Sequence, residues 1–117
     1  MTYLLVLSPL ARADIIDVLE WSIDHFGGTV RDGYEALIDA ALRDIATDPR
    51  LAGSHERPEL GQYIRSVHLA TSREHVSEDV RRIPDPRHFV FYRHLSDVVQ
   101  VSRVLHEARD FVEHRFP

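Results

Sequence analysis

The chain has 117 residues, which suffices for one hydrophobic core but not for two. It contains no cysteine, so disulfide scaffolds, thiolate metal sites and thiol catalysis are excluded. All 14 cationic residues are arginine and the net charge is −5, which argues against a surface for non-specific nucleic-acid binding. Because neither a signal sequence nor a membrane-spanning apolar run is readable, we expect a cytoplasmic protein without a membrane partner.

Charge is divided unevenly along the chain. Residues 1–49 hold three arginines and nine acids, a net of −6. Residues 50–117 hold eleven arginines, ten acids and seven of the eight histidines. The second half can therefore present a local arginine and histidine surface on a chain that is acidic as a whole.

The beginning of the chain predicts a strand followed by a helix. Residues 3–7 form a short apolar run typical of a buried strand. Ser8 is a natural N-cap, and Pro9 suits the first helical position because its missing N–H would have no partner there. Apolar residues then recur at helical spacing from Ala11 to Phe26, until two glycines end the helix.

A second helix follows directly. Apolar residues at helical spacing run from Val30 to Ile45, and the pattern stops before Asp48 and Pro49. Two such helices joined by a two-glycine turn predict an antiparallel hairpin, whose apolar faces must cover a sheet.

The second half of the chain predicts that sheet. Runs of β-branched and aromatic residues predict strands at 63–69, 88–93 and 98–105. The remaining segments are predicted to be a loop at 49–61, a loop or a short helix (74–82) within 70–87, and one or two helical turns at 107–114. This order predicts an α+β domain spanning residues 1–117. Its antiparallel helical hairpin packs on a mainly antiparallel sheet of about four strands, and a short C-terminal helix follows.

Four residues on or at the ends of the predicted strands could carry chemistry: Arg65, Arg93, Arg103 and His106. If the strands align, their side chains converge on one sheet surface, where guanidinium groups suit phosphate or carboxylate and the imidazole suits proton transfer. The alternative is that the arginines form ion pairs with Glu107, Asp110 and the acidic helices, which is the commoner use of strand arginines.

A second set of residues lies on the first predicted helix. Asp14, Asp17, Glu20 and Asp24 are spaced by three or four, which predicts a solvated face opposite the apolar stripe. Trp21 is either a partly buried hairpin residue or an anchor for a partner. The histidines lack the paired spacing of helical metal ligands, so neither a metal nor another cofactor is expected.

Four stretches of the chain carry motifs of a known family. They are Leu7-Ser8-Pro9-x-Ala11-x-x-Asp14-Ile15-x-x-Val18, Asp48-Pro49-Arg50-Leu51-x-Gly53, Glu59-Leu60-x-x-x-Ile64-Arg65-Ser66, and Arg87-His88-x-x-Phe91-Tyr92-Arg93 followed by Val101-x-Arg103-Val104-Leu105-His106-x-x-Arg109-Asp110. Together they resemble the ParE/RelE superfamily of bacterial type II toxins, and the last stretch resembles its ParE branch, also described as plasmid-stabilisation proteins. The resemblance runs from about residue 3 to residue 114, with a segment at 70–87 that is longer than usual.

The resemblance implies a toxin encoded beside an antitoxin that binds and silences it. RelE-like members cut messenger RNA in the ribosome with a basic set in which lysines are prominent. ParE-like members instead stabilise the cleaved-DNA complex of DNA gyrase. The missing lysines and the acidic net charge favour the ParE branch, so we expect a binding inhibitor that is not an enzyme.

Two alternatives from other functional classes remain open. One is a RelE-like ribosome-dependent endoribonuclease, in which Arg65, Arg93, Arg103 and His106 would bind the scissile phosphate and move protons. The other is a toxin-like fold that has lost its activity and survives as a partner-binding module.

The expected partners are gyrase and a ParD-like antitoxin that forms a hetero-oligomer with the toxin, without sequence-specific nucleic-acid binding. Target-binding candidates are Arg65, Arg93, Arg103, His106 and Arg109, and antitoxin-binding candidates are Asp14, Asp17, Glu20, Trp21 and Asp24. The antitoxin tail is predicted to place a helix against residues 10–45 and an extended stretch along the sheet, with its arginines near the acidic helix face.

Overall fold

The fold is built on a five-stranded sheet with two helices on one face. The computed structural model describes residues 2–117. In chain order the elements are β1 (Leu4–Leu7), α1 (Pro9–Phe26), α2 (Gly28–Thr47), β2 (His55–Glu56), β3 (Ile64–His68), a 3₁₀ helix (Leu69–His75), β4 (His88–Leu95), β5 (Val98–His106) and a 3₁₀ turn (Phe111–Glu113).

The strand order across the sheet is β1-β5-β4-β3-β2. β1 pairs parallel to β5, and the other three pairings are antiparallel. The predicted α+β class and the helical hairpin are therefore confirmed. The sheet has five strands rather than about four because His55 and Glu56 pair with Ser66 and Arg65, inside the segment predicted to be a loop. Two polar residues are too few to give a strand pattern in the sequence.

The first turn of α1 is fastened to the sheet as well as capped. The Ser8 hydroxyl oxygen accepts a hydrogen bond from the Ala11 backbone N–H at 2.9 Å, as the N-cap prediction requires. The same hydroxyl donates to the Ser102 carbonyl at 2.8 Å. One buried side chain thus fixes where β1 ends, where α1 begins and how α1 approaches β5.

The two helices cover one face of the sheet, and the C-terminal segment covers part of the other, where Val6 and Leu95 stay about half exposed. On the helix side, α1 and α2 pack on fully buried residues that include Val67, Val90 and Val101. On the outer side, the segment after β5 folds back so that Phe116 packs on Phe91 with ring centroids 5.0 Å apart. The predicted helical turns at 107–114 contain only the short 3₁₀ turn, which helps to cover this outer face.

The apolar side chains of α1 do not all face the core. Ala11 and Val18 are buried, whereas Ile16, Ile23 and Phe26 are about half exposed, at 53%, 48% and 59%. The sequence pattern placed Ile23 and Phe26 in the inward stripe, and this prediction is wrong. They lie instead on the side of α1 that faces away from the sheet.

Neither helix of the described chain is long and apolar enough to span a membrane.

Residues 70–87 lie over α2. Of the two alternatives predicted for this segment, the short helix at 74–82 does not form. The helical part is the 3₁₀ helix Leu69–His75, and residues 76–87 form turns and loop. The Ser72 hydroxyl donates to the Asp44 carboxylate at 2.6 Å, and His75 Nδ1 lies 2.7 Å from the same oxygen. Farther along, Ile83 is buried against the hairpin.

Gly33 gives a test of this packing. A Cβ at position 33 would lie 2.9 Å from Ile83 Cδ1 and closer still to the backbone oxygen of Arg81. Although alanine is the better helix former, we expect Gly33→Ala to lower the free energy of unfolding by about 1–3 kcal/mol through overpacking. Urea denaturation measures the change.

Gly28→Ala is the matched control, because a Cβ at position 28 would meet nothing within 4 Å. This variant should be neutral or slightly more stable than the parent. Equal behaviour of the two alanine variants would contradict the close approach of residues 81–83 to α2.

Candidate functional site

Asp14 and Arg103 join α1 to the sheet at the point where β1 stops. β1 runs alongside β5 only as far as Val101, while β5 continues to His106. In the place of a longer β1, the Asp14 carboxylate accepts a hydrogen bond from the Val104 backbone N–H at 3.0 Å. It also accepts from Arg103 Nε at 2.7 Å and from Arg103 Nη2 at 2.9 Å. The hydrogen bond to Asp14 raises the pKa of the Arg103 guanidinium.

The burial of Asp14 corrects one prediction. Asp14 was expected on the solvated face of α1, but it is only 7% exposed and its carboxylate points at β5. It stands three residues after Ala11 and four before Val18, so it belongs to the buried side of the helix. Asp17, Glu20 and Asp24 are exposed, as predicted.

Arg93 holds the segment that covers the outer face of the sheet. Its Nε donates to the Pro117 carbonyl at 3.1 Å and its Nη2 to the Phe116 carbonyl at 3.0 Å, while Nη1 donates to the Gln62 carbonyl. Arg103 Nη1 adds a hydrogen bond to the Arg115 carbonyl at 3.1 Å. Both guanidinium groups therefore satisfy backbone carbonyls of residues 115–117.

Arg65 lies in an open groove of about 310 Å³ beside β2 and β3, which we call the arginine groove. Its lining residues include Arg50, Tyr63, Arg65 and His94. Arg65 Nη2 donates to the Ser54 hydroxyl at 2.7 Å, and its Nε is buried without a hydrogen-bond partner among the described residues. Tyr63 is 60% exposed at a φ of 66°, a left-handed conformation that is strained for tyrosine.

The predicted meeting of Arg65, Arg93, Arg103 and His106 does not occur. Arg65 is paired with Tyr92, whose side chain belongs to the helix-side core, whereas Arg93 is paired with Ile64 of the outer core. Residues paired across two strands face the same side of the sheet, so Arg65 faces the side of Tyr92. Arg93 follows Tyr92 in β4 and therefore faces the opposite side. His106 is paired with His88 at the far end of β4 and β5.

His106 belongs instead to a cluster of aromatic and imidazole rings around Trp21. The Trp21 ring centroid lies 5.4 Å from that of His88 and 5.8 Å from that of His106, both in edge-to-face geometry. Tyr34 completes the cluster, 5.5 Å from His88, and its hydroxyl accepts a hydrogen bond from the Arg87 backbone N–H at 2.8 Å. Trp21 is thus a partly buried hairpin residue, the first of its two predicted roles.

His88 is the most strongly perturbed titratable group of this cluster. It is 4% exposed, and burial lowers its pKa to about 4, with the nearby His106 and His68 adding to the effect. His88 is therefore neutral at physiological pH. Arg109 and Asp17 border a small cleft of about 180 Å³ beside the cluster.

The ion pairs predicted as the alternative use of the arginines are present only in part. Arg103 binds an acid of α1, as that alternative expects. Glu107 binds Arg87 at 3.0 Å and His68 at 2.9 Å rather than any of the three candidate arginines. The hydrogen bond from Arg87 is the main cause of the lowered pKa of Glu107, and that from His68 adds to it.

No group of three or more histidine, aspartate or glutamate side chains within residues 2–117 is arranged to hold a metal ion. The geometry offers two open surfaces with polar groups, the arginine groove and the cleft beside Trp21. The arginine groove brings Arg50, Arg65 and His94 to one depression, and the cleft beside Trp21 brings Asp17, His106 and Arg109 to another.

A comparison with protein families decides the family. The family described as "ParE toxin of type II toxin-antitoxin system, parDE" matches residues 5–111. The chain belongs to the ParE toxin family. A solved structure described as "Chromosomal ParDE TA system from P. aeruginosa" has the same fold, with a TM-score of 0.60 and 14% identity over 90% of this chain and 96% of that one. No curated protein matches the sequence.

Membership of the ParE family confirms the resemblance drawn from the four sequence motifs. Several motif residues of this ParE toxin hold the fold together, since Ser8 fastens α1 and Asp14 binds Arg103.

The sequence patterns did not identify Arg50, Tyr63 and His94 of the arginine groove as site residues. They come from two loops and a strand, and only the folded chain brings them together.

Arg103 provides a direct test of the buried contact. We expect Arg103→Ala to lower the free energy of unfolding by about 3–5 kcal/mol, because it leaves the Asp14 carboxylate buried without its cationic partner. Arg87→Ala is the control, since its ion pairs with Asp85 and Glu107 are half exposed and should matter little. Similar melting temperatures for the two variants would contradict a stabilising role of the Asp14 contact.

The lowered pKa of His88 predicts a pH dependence of stability. Between pH 6.5 and about 4 the unfolded chain binds a proton on His88 that the folded chain does not, so stability falls as the pH falls. The loss over this range is at most ~3 kcal/mol. The melting temperature measured across this pH window should depend less steeply on pH in His88→Phe than in the parent. The control is His55→Gln, at an exposed histidine, whose melting temperature should change with pH as that of the parent does.

Proposed function

We propose that this ParE toxin inhibits DNA gyrase in the cytoplasm by binding it and stabilising its cleaved-DNA complex, and that a ParD-like antitoxin encoded by the adjacent gene neutralises it. Gyrase and the antitoxin come from the resemblance of the motifs to the ParE branch. The observation that carries the binding mode is the dispersal of the candidate arginines, two of which are bound to carbonyl and carboxylate groups of the fold itself.

A binding inhibitor fits this arrangement better than a nuclease does. Cleavage of RNA needs a base, an acid and cationic groups converging on one phosphate. Here Arg93 and Arg103 are engaged with the segment 115–117, and His106 lies among aromatic rings. Arg65 and the exposed Arg109 remain the strongest target-binding candidates, because neither binds the segment 115–117. Arg65 donates to the Ser54 hydroxyl and lies 3.7 Å from the Glu56 carboxylate at the open groove.

The outer side of α1 is suited to the antitoxin. Ile16, Ile23 and Phe26 form an exposed apolar stripe, and the exposed acids Asp17, Glu20 and Asp24 lie beside it on the same helix. Such a face complements an amphipathic helix with basic flanks. Asp14 is withdrawn from this surface by its contact with Arg103, and Trp21 is half buried.

One observation favours a second candidate function. The arginine groove holds Arg50, Arg65, His94 and the exposed Tyr63 in one open depression, which has the groups needed to bind a phosphate and transfer a proton. A ribosome-dependent endoribonuclease would therefore act here and not at the dispersed set predicted from the sequence.

Two assays with the purified chain separate these functions. We expect accumulation of cleaved DNA and loss of supercoiling when the chain is added to gyrase, and no cleavage of messenger RNA on ribosomes. The reverse result would establish the endoribonuclease, and inactivity in both assays would favour a partner-binding module. Expression alone should arrest growth, and co-expression of the adjacent gene should restore it.

Matched arginine variants then locate the target surface. Arg65→Ala and Arg109→Ala should reduce gyrase inhibition at least about tenfold, since each removes a contact worth ~1.5–3 kcal/mol. Arg12→Ala, at an exposed arginine of α1, is the control and should retain full inhibition. Melting temperatures show whether a loss reflects unfolding. Full inhibition by both Arg65→Ala and Arg109→Ala would reject this surface.

A further inference from the structure

The arginine groove collects residues from three parts of the chain. Arg50 comes from the turn after α2, Tyr63 and Arg65 come from the beginning of β3, and His94 comes from the end of β4. The volume of about 310 Å³ lies at the lower end of the range for ligand sites. The groove can therefore hold a small molecule or one unit of a polymer.

Arg65 presents a largely buried guanidinium to this groove. Its side chain is 16% exposed, and within residues 2–117 it makes one hydrogen bond, from Nη2 to the Ser54 hydroxyl at 2.7 Å. The Glu56 carboxylate lies 3.7 Å from Nη1, which is longer than a hydrogen bond, and the Glu56 side chain is 79% exposed. Arg65 therefore keeps unused donors at the groove, and these suit an oxyanion such as phosphate.

Arg50 brings a second guanidinium to the same groove. It is exposed, and within the described chain its only hydrogen bond comes from its backbone N–H, which donates to the Asp48 carboxylate at 3.1 Å. The partly buried His94 adds an imidazole, which can donate a hydrogen bond as well. Two guanidinium groups and an imidazole thus border one depression, an arrangement that favours a phosphate ligand.

Tyr63 keeps an aromatic ring at the groove in a strained backbone conformation. Its φ of 66° lies in the region that favours glycine, and its side chain belongs to neither hydrophobic cluster of the fold. A residue that is strained and contributes nothing to the core points to a function. An exposed ring beside cationic groups is a common platform on which an unpaired base stacks.

Glu56 separates a nucleotide from an acidic peptide as the ligand. Its carboxylate lines the groove together with the arginines. It would repel the carboxylates of an acidic peptide, whereas it can accept a hydrogen bond from the amino group of a base such as cytosine. A nucleotide therefore matches all three kinds of group: the cations through its phosphate, Tyr63 through its base and Glu56 through the amino group.

We propose that the arginine groove binds one unpaired nucleotide of the DNA in the cleaved gyrase complex, which rests on the proposed function for the source of the DNA. The phosphate binds Arg50 and Arg65, and the base stacks on Tyr63. A base at the end of a cleaved strand leaves the stack at little cost. Because the net charge of −5 gives no long-range attraction to DNA, the groove acts on DNA that gyrase already holds.

An NMR titration of the full chain tests the site without gyrase. The probe is a single-stranded oligodeoxynucleotide of about six residues in low salt. We expect saturable amide shifts at residues 50, 61–65 and 94, with a dissociation constant below about 1 mM. Absence of saturable shifts there would overturn the proposal, as would shifts spread equally over exposed arginines elsewhere.

Matched arginine variants test the phosphate contact. Arg50→Ala should weaken binding of the oligodeoxynucleotide at least about fivefold, because it removes a charge-assisted contact. Arg12→Ala, at an exposed arginine of α1, changes the net charge equally and should bind as the parent does. Equal affinities of the two variants would overturn the phosphate contact.

Two substitutions of Tyr63 test the stacking contact. Tyr63→Gly removes the ring and relieves the strain at a φ of 66°, so it should melt at or above the parent's temperature and yet bind at least about tenfold more weakly. Tyr63→Phe keeps the ring and should bind as the parent does. Equal affinities of these two variants would contradict stacking on residue 63.

Further probes identify the class of ligand. Inorganic phosphate and a peptide of consecutive glutamates should each bind at least about tenfold more weakly than the oligodeoxynucleotide, since neither offers a base. Equal or tighter binding of either would overturn the assignment to a nucleotide. Tighter binding of the RNA of the same sequence would overturn the assignment to DNA and favour the endoribonuclease.

The gyrase assay then places the contact in the complex. Arg50→Ala should reduce the accumulation of cleaved DNA at least about fivefold and leave binding to gyrase without DNA unchanged. Full accumulation with Arg50→Ala would overturn the role of the groove in the cleaved complex. Inactivity of the parent chain on gyrase would instead reject the proposed function, while the titration would still decide whether the groove binds a nucleotide.

Discussion

The carboxylate of Asp14 closes the gap that opens where β1 stops and β5 continues. It accepts from the Val104 backbone N–H, as the carbonyl of a longer strand would, and it fixes the guanidinium of Arg103. Arg103 in turn donates to the Arg115 carbonyl. A single buried acid therefore connects the helical hairpin, strand β5 and the segment that packs on the outer face of the sheet.

The spacing of apolar residues and the turn residues between them were enough to predict β1, both helices, and strands β3, β4 and β5, because each contains an apolar run or a repeating apolar pattern. β2 was missed because two polar residues carry no pattern. The burial of Asp14 was missed because the spacing of acids identifies a helix face but does not show that Arg103 and the Val104 N–H of β5 bind one of them. The separation of Arg65 from Arg93 depends on strand register, which places neighbouring positions on opposite faces.

The use of arginine explains why the predicted site dispersed. A guanidinium has five donors in a planar fork, so Arg93 can satisfy carbonyls of Gln62, Phe116 and Pro117 at once. A lysine ammonium in the same place would be a poorer match. Arg93 and Arg103 thus direct their guanidinium groups to the fold itself rather than to a partner. The surfaces that remain for recognition include the arginine groove, the cleft beside Trp21, and the acidic and apolar side of α1.

The parallel pairing of β1 with β5 also constrains when the domain can form. The Ser8 hydroxyl and its partner, the Ser102 carbonyl, are 94 positions apart. During synthesis, β1 and the hairpin are therefore made long before β5, the strand with which β1 pairs. Contacts of such high sequence separation slow folding, and any product that ends before β5 lacks the strand on which the hairpin rests. The sheet is complete only when nearly the whole chain has been made, so incomplete chains would not carry the toxin's folded surface.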